Sequence, residues 1–330
     1  MKSKVDIFTG IRPTGGLTVA NYLGAVQPIL ELQKSGDKVM VFVADLHAMT
    51  DREPNEVAEN IEGVVADYLA LGLDPEKVTI FVQSAIGYQI GLLTLMLMRM
   101  VTVAELTRLP TLKEKLKGEQ RPENANALLA AYPVMMASDI LLQKSLQVPV
   151  GEDQVPHLEI TRLIAQRFNK RYGDVLVIPK VMQMKTVRIS SLKGNGKMSK
   201  TSPNEAIFLT DTQDEIAKKI KSAVTAFAGE MNPTLESHIY LTRNLAKSEA
   251  DINLLDEIVK KHMSGENVMK DFKELMTRVA QEFISEFQEK RNAIISNQDS
   301  IRLIIEKGNR IATQNADETL KEVMSSLYLK

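Results

Sequence analysis

At 330 residues, 44% of them apolar and 25% charged, the chain is long enough for one large or two ordinary domains with a buried core. It has no cysteine, which excludes disulfides and thiolate metal sites, and its formal net charge of −1 argues against nonspecific nucleic-acid binding. His47, His157, His238 and His262 never pair at metal-ligand spacing, so no metal site is expected. The start, MKSKVDIF, lacks the apolar core of a signal peptide, and the most apolar run, IGLLTLMLMRMVTV (90–103), is too short for a membrane span and contains Arg99. A cytoplasmic protein is expected, with that run as a buried helix or a subunit contact.

In chain order, VDIFTG predicts a short strand and IRPTGG a loop. LTVANYLGAVQPILELQKSG then reads as a helix with Thr18 as N-cap and Asn21 at its third position, stopped by Ser35-Gly36. KVMVFVADLHAMT is a near-continuous apolar run, the mark of a strand buried on both faces. PNEVAENIEGVVADYLALGLDPEK is an amphipathic helix, and VTIFVQS is another buried strand. This alternation predicts a parallel α/β sheet.

Residues 85–135 break the alternation and read as a helical insertion. LQVPVGEDQ then supplies a strand and its loop, VPHLEITRLIAQRFNKRYG a helix, and the text up to 203 short strands and a loop. Beyond 206 the text is almost wholly helical. TQDEIAKKIKSAV opens on a capping box, Thr212 with Glu215. Phe272, Leu275, Met276, Val279, Phe283 and Phe287 form a core stripe, and two or so helices close the chain. The expected class is α/β: a Rossmann-like parallel sheet over 1–205 with its helical insertion, followed by an all-helical domain over 206–330.

Ligands of open parallel sheets sit at the carboxyl ends of the strands, where three polar clusters fall. GIRPTGGLTVAN lets backbone approach an anion at a helix N-terminus, but it matches neither GxGxxG nor a P-loop, and alone it is an ordinary strand-to-helix loop. In GEDQ (151–154), Asp153 suits ribose hydroxyls and Gln154 a zwitterion, although a helix cap would read the same. In KMSKT (197–201), two lysines, Ser199 and Thr201 can surround a polyphosphate, where a bland loop would be a solvated tip. Residues 159–200 hold ten Lys/Arg against Glu159 and Asp174, a local positive field.

Together the clusters resemble the class I aminoacyl-tRNA synthetases, with TVAN (18–21) at the place of their HIGH-type signature and KMSKT at that of KMSKS. GIRPTGGLTVANYLGA, VADLHAMT, AYPVMMASDILL, VPVGEDQVPHLEITRLIAQRFNKRYG and KKIKSAVT are most similar to the bacterial tryptophanyl-tRNA synthetases, over most of residues 5–225. The resemblance implies a homodimeric tryptophan–tRNA ligase using ATP, Mg²⁺, L-tryptophan and tRNA(Trp), with the helical domain reading the anticodon. The alternatives are a tyrosyl-tRNA ligase or a tRNA-binding paralogue without activation chemistry.

By the same resemblance, Gly10, Arg12, Pro13 and Thr14 lie along ATP. Thr18 and Asn21 hold its phosphate and sugar region, with Ala20 under the adenine. Gly151, Glu152 and Asp153 line the ribose and Ile189 the adenine. Lys197, Met198, Ser199, Lys200 and Thr201 take the pyrophosphate. Asp139 accepts the indole N–H, and Phe8, His47, Tyr132, Met136, Val148, Val150 and Gln154 build the rest of the amino-acid pocket. Two positions depart from the family: Ala20 replaces a glycine, and Arg12 stands where an amide side chain is usual.

Overall fold

The computed structural model of the chain describes residues 3–110, 112–113, 126–183 and 188–329. Much of LPTLKEKLKGEQRPENAN therefore lies outside the described residues. Five parallel strands, β1 (Val5–Ile11), β2 (Val39–Val43), β3 (Val78–Val82), β4 (Ser145–Val150) and β5 (Lys180–Gln183), form one sheet in the order β3-β2-β1-β4-β5. All five residues of β2 are buried, as its unbroken apolar sequence demands of a strand covered on both faces. The chain order reverses between β1 and β4, so the strand ends diverge there and leave a crevice.

The helix after β1 starts where Thr18 is expected to cap it, and the cap is a full capping box. The Asn21 N–H donates to Thr18 Oγ1 at 3.2 Å, and the Thr18 N–H donates to Asn21 Oδ1 at 3.0 Å. It is not a uniform α-helix. Three α-residues, Val19–Asn21, lead into a π-turn, Tyr22–Val26, before Gln27–Leu32 resumes. Pro28 offers no N–H to the preceding turn, and the Gln27 N–H instead reaches back to Tyr22 O.

Each face of the sheet has its own core. On one face Ile7, Val41 and Ile80 pack with Val64 and Val65 of helix Pro54–Ala70, and that cluster runs on through Leu275 and Val279 of the long helix Met269–Ile295. On the other face Phe8 stacks on Phe42 with ring centroids 4.8 Å apart, and both join Leu93, Leu97, Ile140 and Ile164. The last three belong to helices Gly87–Leu97, Ala127–Leu142 and Val155–Tyr172.

The end of the chain differs from expectation. Instead of two helices, a single 29-residue helix, Gln298–Ser326, begins at the Asn297 cap and runs along β3. Gly308 inside this helix is there for close approach: a Cβ on it would lie 1.7 Å from the carbonyl oxygen of Ile80. One residue on, Asn309 Oδ1 accepts the Val82 N–H at 2.9 Å, and Thr319 Oγ1 donates to Leu142 O at 2.8 Å. The edge of the sheet is thereby covered.

Gly308→Ala should therefore destabilise the protein by roughly 3 kcal/mol or more, because strand backbone cannot give way. Gly63→Ala, in open space on helix Pro54–Ala70 with only Arg291 Nη2 at 3.8 Å, should stabilise by about 1 kcal/mol. Denaturant melts of both variants check the pair; equal effects would mean that the last helix does not bear on β3.

Candidate active site

A cavity of about 780 Å³ opens at the crevice between β1 and β4, a size suited to a small-molecule ligand. β1 and its loop bring Phe8, Gly10 and Arg12 to it, and β4 and its loop bring Val148, Val150, Gly151, Asp153 and Gln154. His47 enters from the short helix Asp45–Ala48 after β2, and Tyr132, Met136 and Asp139 from helix Ala127–Leu142. Gly10 is a packing requirement as well as a lining residue, because a Cβ there would stand 2.6 Å from the Phe42 ring.

Asp139 is the polar centre of the deep end, and it is only 1% exposed. Gln83 Nε2 donates to both of its oxygens, at 2.9 and 2.8 Å, and His47 Nε2 lies 2.9 Å from Oδ2. Burial pushes the Asp139 carboxyl pKa up, and the His47 and Gln83 hydrogen bonds work against that shift. Gln83 Oε1 in turn accepts the His47 N–H at 3.2 Å. The Tyr132 hydroxyl lies 2.9 Å from His157 Nε2, and Phe8, Met136, Val148 and Val150 add apolar wall to the cavity.

A second cavity, about 400 Å³, adjoins the first and shares Arg12 and Lys197 with it. Thr14, Ala20, Asn21, Ile189, Met198, Ser199 and Lys200 line it. The KMSKT segment ends a tight hairpin. Ser190 bridges Lys197, Met198 N–H donates to Ile189 O at 2.8 Å, and Gly194 and Gly196 take positive φ to close the turn. Lys200 Nζ donates to Thr14 Oγ1 at 3.1 Å and to Gly15 O at 2.9 Å, so the lysine loop rests on the first loop. Burial lowers the Lys200 pKa, the Asp67 carboxylate opposes that, and Arg52 and Arg12 add to it. Asp67 is itself paired with Arg291 of the long helix at 2.5 Å.

Most of the residues named from the sequence thus meet around two joined cavities. Thr18 lies beneath, 1% exposed, as a cap; Pro13, Glu152 and Thr201 line neither cavity, although Thr201 Oγ1 is 2.9 Å from Ser199 Oγ. Arg12 forks onto Asp51, with Nη1 3.4 Å from Oδ2 and Nη2 against Oδ1. The basic segment divides. Lys197, Lys200 and Arg188 reach the site, while Arg167 and Arg171 lie at the far end of helix Val155–Tyr172, roughly 20–25 Å from its start. Sequence reasoning missed Gln83, Asp45, Asp51, Arg52, Asp67 and Arg188. Asp45 falls within VADLHAMT and Arg188 within the basic stretch of 159–200, but neither stands out there; Gln83 ends the VTIFVQS strand, and Asp51, Arg52 and Asp67 sit in no motif. Among the described residues, no group of carboxylates and imidazoles is arranged to hold a metal, and no helix is long and apolar enough to cross a membrane.

An open parallel sheet with an acidic amino-acid-sized pocket beside a lysine-lined cavity at its switch point is the arrangement of a nucleotide-using enzyme that activates a small substrate. The family described as tRNA synthetases class I (W and Y) matches residues 1–298, and the chain belongs to it. The tryptophan–tRNA ligase of Caldanaerobacter subterraneus subsp. tengcongensis is 39% identical over 330 residues, covering 98% of each chain. That of Bacillus subtilis is 35% identical, covering 99% of this chain and 98% of its own. Among solved structures, tryptophanyl-tRNA synthetase from Campylobacter jejuni complexed with ADP and tryptophan superposes with a TM-score of 0.84 at 26% identity, over 98% of this chain and all of its own. The Mycoplasma pneumoniae enzyme gives 0.84 at 32% identity, over 99% and 98%.

The Lys200 environment has a pH consequence. A charged Lys200 is lost as pH rises through its depressed pKa, so ATP–pyrophosphate exchange should fall on the alkaline side before an ordinary lysine titrates. Asp67→Asn removes the charge that raises that pKa and should move the alkaline limb to lower pH. Rate profiles of both proteins, with melts at each pH to exclude unfolding, decide; an unmoved limb would show that Asp67 serves only the Arg291 pair.

Proposed function

We propose that this chain is an ATP-dependent tryptophan–tRNA ligase. The tryptophan carboxylate attacks the α-phosphorus of ATP in line, tryptophanyl-adenylate forms, pyrophosphate leaves, and the terminal ribose of tRNA(Trp) then takes the tryptophanyl group. The observation that carries this reading is Asp139: a buried acceptor lining the larger cavity, suited to an indole N–H, which can only donate. ATP occupies the neighbouring cavity. Thr14 Oγ1 and Gly15 O, neutral acceptors of Lys200 in this structure, give way to phosphate oxygens, and Lys197 and Lys200 meet charge as it develops on the leaving group. No side chain becomes covalent; positioning and electrostatics carry the step. A magnesium ion arriving with ATP would be held chiefly by the phosphates and would neutralise their charge.

The helices beyond 206 are the part that reads the anticodon in this proposal, and the reaction is cytoplasmic, where tRNA is charged. Pairing of two copies is proposed through helix Gly87–Leu97 and the turn after it, where Tyr88, Leu95 and Val103 are 75%, 66% and 78% exposed.

ATP–pyrophosphate exchange with tryptophan and with tyrosine, followed by tRNA charging, tests the whole reading: tryptophan alone should support exchange. Exchange with tyrosine, or with neither, would overturn it. Lys200→Ala should leave tryptophan affinity nearly intact and slow adenylate formation by orders of magnitude, because its charge acts in the transition state. Asp139→Ala should cripple tryptophan use, by about 1–3 kcal/mol or more, while ATP affinity holds. Titrations of each ligand against each variant separate these outcomes, and parallel loss of ATP and tryptophan affinity would make Asp139 structural.

A further inference from the structure

We infer that Gln83 is a specificity-determining positioning residue, which holds Asp139 as an obligate hydrogen-bond acceptor and so restricts the pocket to side chains presenting a donor at that depth. The inference rests on the proposed tryptophan activation and deepens it.

Gln83 ties Asp139 to the backbone of His47. It is completely buried. Its amide cannot flip without loss, because Oε1 already accepts the His47 N–H at 3.2 Å while Nε2 bridges both oxygens of Asp139. Its backbone is fixed from both sides: the Val82 N–H is held by Asn309 Oδ1 at 2.9 Å, and the Ser84 N–H by Asp45 Oδ1 at 3.0 Å. With the Gln83 amide across both oxygens and His47 on Oδ2, the capacity left to the carboxylate is chiefly on Oδ1, and it is acceptor capacity. A buried carboxyl otherwise tends to keep its proton, and a protonated Asp139 would offer a donor to the ligand. Donors fixed on both oxygens favour the ionised form. The titratable groups facing Asp139 are His47 and Asp45 from the segment after β2 and Tyr132 on its own helix, with His157 behind Tyr132.

The test uses the full chain as wild type, Gln83→Glu and Gln83→Met. The substrates are tryptophan and β-(3-benzothienyl)alanine, in which sulfur replaces the indole N–H. In the Glu variant two buried carboxyls face each other and share a proton at neutral pH. KM for tryptophan should then rise roughly 5- to 150-fold with kcat changed less, and the preference for tryptophan over the analogue should shrink. The deficit should persist as pH rises, because an ionised Glu at position 83 offers Asp139 no donor and repels its charge. The Met variant, similar in size but without a donor, should lose preference as well. If both variants raise KM for the two substrates by one factor at every pH, Gln83 only packs; if the preference is unchanged, it does not act through Asp139. Either result overturns the inference. Calorimetric binding of the two amino acids to each protein gives the same comparison without catalysis. Wild-type protein that binds tryptophan but never exchanges pyrophosphate would thus count against the ligase reading and leave the role of Gln83 decided by binding.

Discussion

A carboxylate can be buried as fully as that of Asp139 only if donors meet it inside the protein. Much of the site's architecture follows from that demand. The donors come from elements far apart in sequence: His47 from the segment after β2 and Gln83 from the end of β3. β3 keeps its place because the last helix lies on it at Gly308 and ties off the Val82 N–H through Asn309. A contact near the end of the chain thereby fixes the residue next to Gln83, and Gln83 fixes the acceptor at the floor of the cavity.

The other end of the site solves the opposite problem. There cations await a polyanion and must be accommodated in its absence. Arg12 forks onto Asp51, Lys200 leans on the neutral oxygens of Thr14 and Gly15, and Asp67, itself neutralised by Arg291, opposes the discharge of Lys200. Hydrogen bonds from Lys200 to neutral oxygens are weaker than its pairing with an anionic phosphate would be, which keeps that lysine available to phosphate. The Asp51 fork makes Arg12 a more committed group than its position in the loop suggests.

Much of this was legible beforehand where the chemistry is local. The capping boxes at Thr18 and Thr212 are satisfied within four residues, and the unbroken apolar runs of β2 and β3 have one good environment, a sheet covered on both faces. The resemblance carried by the loops also named most of the residues that line the two cavities. It did not find Gln83, Asp51 or Asp67, because a lone amide or carboxylate, buried or exposed, has no periodicity or spacing of its own. Its partners are 56, 39 and 224 residues away along the chain. The role of Gly308 was not legible for a related reason: glycine inside a helix and glycine ending one look alike until something is seen pressing on the missing Cβ.

What the sequence determined by itself was the first strands and helices, their parallel arrangement and the loops that would face a ligand, because helix caps, apolar runs and strand-end loops depend on neighbours within a few residues. What only the tertiary structure decided was which polar groups hold one another. It decided that Gln83 and His47 converge on Asp139, that Lys200 rests against the loop of residues 14–15, and that the basic stretch of 159–200 serves two separate surfaces. Hydrogen bonds and charge pairs act over a few ångströms, and residues hundreds of positions apart reach that range only after the sheet and its covering helices have closed.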